Sequence, residues 1–441
     1  MRRPSSTDGC SVIDARPALA GLVRRARQSR FARAFGLVAG STAAGQLIGL
    51  FSVPALSRIY STTAFGEYGV FIAIGAALSA LACLRLDVAI PRADHRDESE
   101  AVAYAGIVCA ALFSLALLLL AYLIRAPVAG IALSRTSLLL LPVSVFVGAV
   151  WLLLSQLAIR MGRFRVVAAR AFLQPVVTFM VQGLWIVIDA PGPGLIVGYL
   201  AGQSAMALLF LLDLPQPSAL GLRRFWSTIR SHRAYILVMT PQGVLNSLNV
   251  QLPLLMISWL YSVETTGFFS MTQRVMGVPI GLVGITMGQV YVSFLAARKA
   301  DSPEGVADLF NRVSKALALA GLALVAASVV LAPPVFKFVL GPQWLQSARY
   351  AQVASLMYAS QLIAAPLSVT LVVMRQEAVQ AKWDLFRLGI LLGCLWCAWQ
   401  LELSPTAFVA ILTVGVSSAY AVLWFLCKRA VAIPAHLVVR R

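Results

Sequence analysis

The chain has 441 residues, 60% of them hydrophobic and only 12% charged. Ordinary soluble domains carry about 25% charged residues, so 36 Lys and Arg with 17 Asp and Glu could not cover a core this large. The net charge of +19 falls in short gaps between long apolar runs rather than on one polar domain. That pattern excludes a nucleic-acid-binding protein and indicates a polytopic membrane protein.

Residues 1–34 carry eight Arg, and their longest apolar run, Ala18 to Val23, is too short for a signal peptide. They read as a basic cytoplasmic tail. Hydropathy then supports twelve segments near the ~20 residues a bilayer span needs. They lie at 36–57, 68–86, 102–123, 137–158, 167–188, 194–213, 235–260, 267–294, 315–334, 345–372, 385–401 and 407–427. With the amino terminus inside, 30 Lys and Arg fall on the cytoplasmic side and 5 outside, with Arg274 inside a span. Alternation of this kind, repeated loop after loop, predicts a multi-pass inner-membrane protein with both termini cytoplasmic.

The expected fold is all-α, about twelve transmembrane helices in two six-helix bundles around a central cavity. The bundles are 35–214 and 235–428, joined by a cytoplasmic linker at 215–234 and followed by a cytoplasmic tail at 429–441. A short internal repeat supports the division. At an offset of 201, Ser57, Tyr60, Ser61 and Gly66 meet Ser258, Tyr261, Ser262 and Gly267, where the first and second helices of each half join. A duplicated unit of parallel topology follows, and transporters often bind substrate between such halves.

Charge and amide groups within spans mark candidate sites, because a charge at mid-membrane costs roughly 2.5–3.5 kcal/mol. Arg274 lies deep in the eighth segment with no acidic residue within two turns, which suits binding of a diphosphate. Arg170, Gln174, Thr178 and Gln182 recur every four residues in the fifth segment, and Gln242, Asn246 and Asn249 share a face of the seventh. Thr42 and Gln46 share a face of the first. These groups either line a wet cavity or join helices by hydrogen bonds. Arg85, two residues before Asp87, suits a local ion pair. Asp87, Asp189 and Asp213 fall at segment ends, so no carboxylate is expected inside a span.

Cys394 and Cys397 form a CxxC within an apolar segment with no nearby His, and all but Cys10 of the six Cys lie in or at the ends of such segments. They read as small hydrophobes rather than metal ligands. His95, His232 and His436 are scattered, and no phosphate-binding loop or HExxH sequence occurs. No catalytic residue, metal or cofactor is expected, and the chain reads as a transporter rather than an enzyme.

The stretches Pro253 to Pro279, Phe338 to Tyr350, Phe65 to Tyr68 and Arg85 to Pro91 resemble the O-antigen/lipopolysaccharide flippases of bacteria. These form the polysaccharide-transport branch of the multidrug/oligosaccharidyl-lipid/polysaccharide exporter superfamily. The resemblance spans roughly residues 33–430. It implies two lobes around a cavity, and transfer of undecaprenyl-diphosphate-linked oligosaccharide from the cytoplasmic to the periplasmic leaflet for surface polysaccharide. Its implied partners are that lipid-linked substrate, membrane lipids and other polysaccharide assembly proteins, with no nucleic acid. Two alternatives stay open: a drug/cation antiporter of the same superfamily, which should carry a buried carboxylate, and a polysaccharide polymerase or ligase, which should carry a large outer loop.

Overall fold

The computed structural model describes residues 16–124, 133–188, 192–213, 222–301, 303–374 and 376–432, and among these every regular element is helical. Tail residues 1–15, together with Arg125, Asp189 and His436, lie outside the described residues. The first half holds α1 (Arg16–Ile59), α2 (Thr62–Ala82), α3 (Arg96–Leu123), α4 (Arg135–Arg160), α5 (Phe164–Val187) and α6 (Gly194–Asp213). A short amphipathic helix, α7 (Leu222–Ser231), precedes the second half. That half holds α8 (Arg233–Leu260), α9 (Val263–Asp301), α10 (Pro303–Pro334), α11 (Leu345–Leu367), the short α12 (Val369–Val373), α13 (Glu377–Gln400) and α14 (Pro405–Ala432).

Nine of the described helices are long and apolar enough to cross a bilayer, and α6 supplies a shorter apolar helix at Gly194–Phe210. The remaining two long helices, α9 and α13, carry charge at Arg274 and at Lys382, Asp384 and Arg387. Short connections make successive long helices antiparallel. One end of the bundle therefore collects most of the Lys and Arg; this is the basic end. The boundaries sharpen two expectations. The basic tail is continuous with the first helix from Arg16, and the part of bilayer length begins at Gly36. The linker region contains α7, which rests on α3 and α8. Arg224 donates to the Asp97 carbonyl at 3.2 Å, and His232 Nε2 lies 3.6 Å from Glu98.

The two halves pack by the same scheme. Contacts of α1 with α5, α2 with α4, α3 with α4, α4 with α6 and α5 with α6 recur as α8 with α13, α9 with α11, α10 with α11, α11 with α14 and α13 with α14. The repeat seen in the sequence has a physical cause at three of its four positions. Ser61 and Ser262 cap α2 and α9, their hydroxyls accepting from the N–H of Ala64 and Thr265 at 3.2 and 3.1 Å. Tyr60 donates to the Gln182 carbonyl near the end of α5, and Tyr261 to the Leu403 carbonyl just beyond α13, at 2.9 and 2.8 Å.

Gly66 and Gly267 face each other where α2 crosses α9. A Cβ on Gly66 would collide with the Val263 carbonyl, and one on Gly267 with the Thr62 carbonyl. Each residue thus meets the mate of its neighbour, as a local twofold axis requires. Only glycine permits the backbones to come this close.

Beside this crossing, the buried Trp344 indole donates to the Ser57 carbonyl at 2.9 Å and packs edge-on against Phe65 at 5.2 Å. The segment before it is a π-helical turn, Val335–Leu340, whose Leu340 carbonyl accepts from the Ser57 hydroxyl. Most prolines within spans are absorbed: Pro54, Pro142, Pro175, Pro241 and Pro253 sit inside continuous helices, whereas Pro366 precedes the break between α11 and α12.

Candidate functional site

The glycine crossing places the start of α9 against α2, and Arg274 lies seven residues past Gly267, on the same helix face. Its guanidinium carbon stands 4.3 Å from the Tyr68 ring centre and 5.6 Å from that of Phe65. Tyr68 packs edge-on against Tyr199 of α6 at 5.9 Å, and Gln203, one turn further, donates to the Tyr199 hydroxyl at 2.6 Å. Arg170 of α5 stacks 3.5 Å from the Trp151 ring of α4, and its buried Nε has no partner. Both guanidiniums lie within electrostatic reach of Tyr199.

Neither Arg joins an ion pair among the described residues; the pairs found there involve Arg85, Arg96, His232 and Arg312. Ring faces hold a cation with roughly 0.5–2 kcal/mol without neutralising it. The site is therefore two cations positioned by aromatic rings, with guanidinium N–H groups free to donate. That arrangement suits a multiply charged anion.

Residues 55–349 match the family described as polysaccharide biosynthesis protein. The chain belongs to that family. No protein of curated function matches the sequence. Among solved structures, the chain is similar to the lipid II flippase MurJ in an inward closed conformation, with a TM-score of 0.73 at 13% identity over 91% of this chain and 89% of that one. It is also similar to an inward-facing multidrug resistance MATE family transporter (TM-score 0.64, 12% identity, 90% and 94% covered). A third likeness is to a transporter of the same superfamily from Pyrococcus furiosus (TM-score 0.60, 14% identity, 90% and 95% covered). This member of the polysaccharide biosynthesis family thus has the fold of those transporters, and its long apolar helices make it a multi-pass membrane protein.

The other candidate residues of this family member divide between surface and structural positions. The α5 stripe turns largely toward α6. Gly198 and Gly202 receive Gln182 and Thr178, the Gln174 carbonyl lies over Gly202, and the Gln182 amide donates to the Leu195 carbonyl at 2.8 Å. Gln182 therefore joins helices, while Arg170 at the other end of the stripe reaches the aromatic cluster. In α8, Asn246 is exposed, Gln242 is half-buried, and Asn249 is fully buried with its amide donating to the Asp384 carbonyl at 2.8 Å. Gln46 of α1 faces Gly281 of α9, with its Oε1 buried and unpartnered. Arg85 pairs with Asp87 at 3.7 Å, as its spacing suggested.

One expectation is overturned. Hydropathy begins the eleventh segment at residue 385, but α13 begins at Glu377, so Asp384 lies two turns inside it and is only 2% exposed. Arg387, three residues on, is also buried and stands 5.0 Å from the Tyr420 ring and 5.7 Å from that of Trp383. A carboxylate and a further cation are thus buried in a long helix, and Arg274 is not alone in its depth. The hydropathy window stops at these charges. A sequence signal was present in the Asp384/Arg387 spacing, which puts both on one helix face. Tyr199 and Gln203, four residues apart in an otherwise apolar helix, were the missed signal for the aromatic cluster.

Proposed function

We propose that the protein moves undecaprenyl-diphosphate-linked oligosaccharides from the cytoplasmic to the periplasmic leaflet of the bacterial inner membrane, for surface polysaccharide. In this reading both termini and the basic end are cytoplasmic. The observation that carries it is the pair of guanidiniums, Arg274 and Arg170, each held on aromatic rings and neither in an ion pair among the described residues. Two planar forks suit the oxygens of a diphosphate, whereas a cationic drug would be repelled. Asn246 and Gln242 suit sugar hydroxyls, and the sparse α1–α9 seam beside Gln46 suits passage of a lipid tail.

The test is complementation of a flippase-null strain, with membrane abundance and surface polysaccharide measured together. Arg274→Ala should reach the membrane at normal abundance and lose most transport, because removing a charge from within the helix bundle eases insertion while the substrate contact is lost. Arg274→Lys, which keeps charge without the fork, should retain part of it. Full complementation by Arg274→Ala would overturn the assignment.

A second reading, cation-driven drug exchange, is favoured by the buried Asp384 alone. It requires resistance to cationic dyes in an efflux-deficient strain that disappears in Asp384→Asn; unchanged sensitivity on expression of the protein is the expected result.

A further inference from the structure

In the second half, α10, α11 and α14 leave a groove of about 350 Å³. Ala318, Ile363, Ala364, Ala421, Tyr420 and Trp424 line it. The surrounding surface is one that a bilayer would cover: Leu319, Leu322 and Phe425 are 71%, 66% and 60% exposed. The serine hydroxyls along the groove are already engaged, Ser314 accepting from the Trp424 indole at 3.1 Å and Ser360 donating to the Met357 carbonyl at 2.8 Å. The groove itself therefore offers hydrocarbon.

Its rim at the basic end is different. Lys315 borders the groove, and Lys428 sits 5.1 Å from the Trp424 ring. Both are exposed and neither joins an ion pair among the described residues; the nearby Asp308 is taken by Arg312 at 2.7 Å.

We propose that this groove is a binding site for an anionic phospholipid of the leaflet at the basic end. An acyl chain lies along Ala318, Ile363 and Ala421, and the phosphodiester lies between Lys315 and Lys428. Charge complementarity selects the occupant. Two unpaired ammonium groups above an apolar slot match one negative headgroup on a hydrocarbon tail, and Trp424 marks the interfacial level where an indole is favoured. A zwitterionic lipid would fill the slot without gaining from the lysines. The bound lipid would tie three helices of the second half together, separately from the transported substrate.

The test uses the purified full-length protein. Phospholipid that stays bound is measured by native mass spectrometry, and thermal stability is followed on adding phosphatidylglycerol or phosphatidylcholine. Wild type should retain phosphatidylglycerol and be stabilised by it more than by phosphatidylcholine. Each lysine near an anionic headgroup contributes about fivefold in affinity, so Lys315→Ala with Lys428→Ala should weaken retention by about 25-fold. Ala421→Trp, which fills the slot and keeps both lysines, should also lose retention, while Lys337→Ala at the opposite end should not.

Equal retention by wild type and the double-lysine variant would overturn the proposal, as would equal stabilisation by the two lipids. Stabilisation by an isoprenyl diphosphate, lost in the double-lysine variant and absent with phosphatidylglycerol, would overturn it in favour of substrate. Because none of these readouts is transport, the outcome is independent of whether Arg274 binds the carrier.

Discussion

A twofold axis through the Gly66–Gly267 crossing would make two seams between the halves equal, α2 with α8 and α1 with α9. They are not equal. Along α2–α8, the Thr240 hydroxyl donates to the Leu84 carbonyl at 2.9 Å, the Arg85 stem covers Gly243, and Leu254 packs beside Gly69. Just beyond, Arg92 donates to the Tyr235 hydroxyl at 3.1 Å. Along α1–α9, among the described residues, Gln46 lies against Gly281, while Gly36, Gly40 and Gly49 of α1 and Gly277 of α9 face open space. Parting the second seam exposes little packed surface, whereas parting the first strips hydrogen bonds and burial together. The sealed seam also holds two successive non-glycine residues, Leu84 and Arg85, at φ of 50° and 54°. Left-handed residues cost of order 1–3 kcal/mol each, so that turn persists because the packing across the seam over-determines it.

The crossing common to both seams is where substitution should do most damage. Gly267→Val places carbon against the backbone carbonyl of Thr62, which no side-chain rotation can relieve, so the helices must separate. Overpacking of this kind costs about 1–3 kcal/mol or more, and membrane abundance should fall severalfold. Gly277→Ala, ten residues along the same helix and facing open space, should be neutral or stabilising by up to about 1 kcal/mol through helix propensity. Quantitative blotting of membrane fractions checks both. Equal abundance of the two variants would mean that the crossing does not hold the halves together.

How much of this was legible in the sequence follows from the physics of each signal. Charge alternation exposed the helix order because each loop reports independently. The repeat was visible because caps, carbonyl-capping tyrosines and crossing glycines are fixed by backbone geometry, which tolerates few residue types. The inequality of the seams was not visible, because it depends on which side chain fills the space above Gly243 and which leaves Gly281 half bare. Periodicity placed Arg170 and Gln182 on one stripe, but it could not say that the stripe packs on the glycines of α6 at one end and reaches Trp151 at the other. Asp384 and Arg387 were misplaced for a different reason. Hydropathy penalises charge before it can ask whether the charges face the protein or the lipid.

The seams themselves can be compared by near-isosteric changes. Thr240→Val removes one hydroxyl bond from the sealed seam and leaves the Leu84 carbonyl without that donor, a loss of about 1 kcal/mol. Gln46→Leu removes from the sparse seam an amide whose Oε1 has no partner, so stability should hold or rise. Thermal unfolding of the two variants in the same detergent should therefore shift in opposite directions, or only the first should shift. A larger loss from Gln46→Leu than from Thr240→Val would reverse the ranking of the seams.

The smallest effect concerns Asp87, which the strained turn buries beside Arg85 and the Cys83 thiol. Burial pushes its carboxyl above the usual carboxylate range, and the Arg85 guanidinium only partly offsets this. A folded-state pKa raised above the unfolded value means that the folded protein binds the proton more tightly. The resulting stability is fully present below the unfolded pKa of about 3.9 and is lost as pH rises through the raised folded value. At neutral pH the ionised Asp87 therefore costs stability. Asp87→Asn abolishes that titration while keeping size and a polar contact for Arg85. It should unfold at a slightly higher temperature than wild type at pH 7, by less than the shift from Thr240→Val, with the gap closing as pH falls toward 4. Thermal unfolding across that range checks it. A variant less stable than wild type at pH 7 would show that the Arg85 ion pair outweighs the burial, and the sealed seam would then owe part of its strength to that pair.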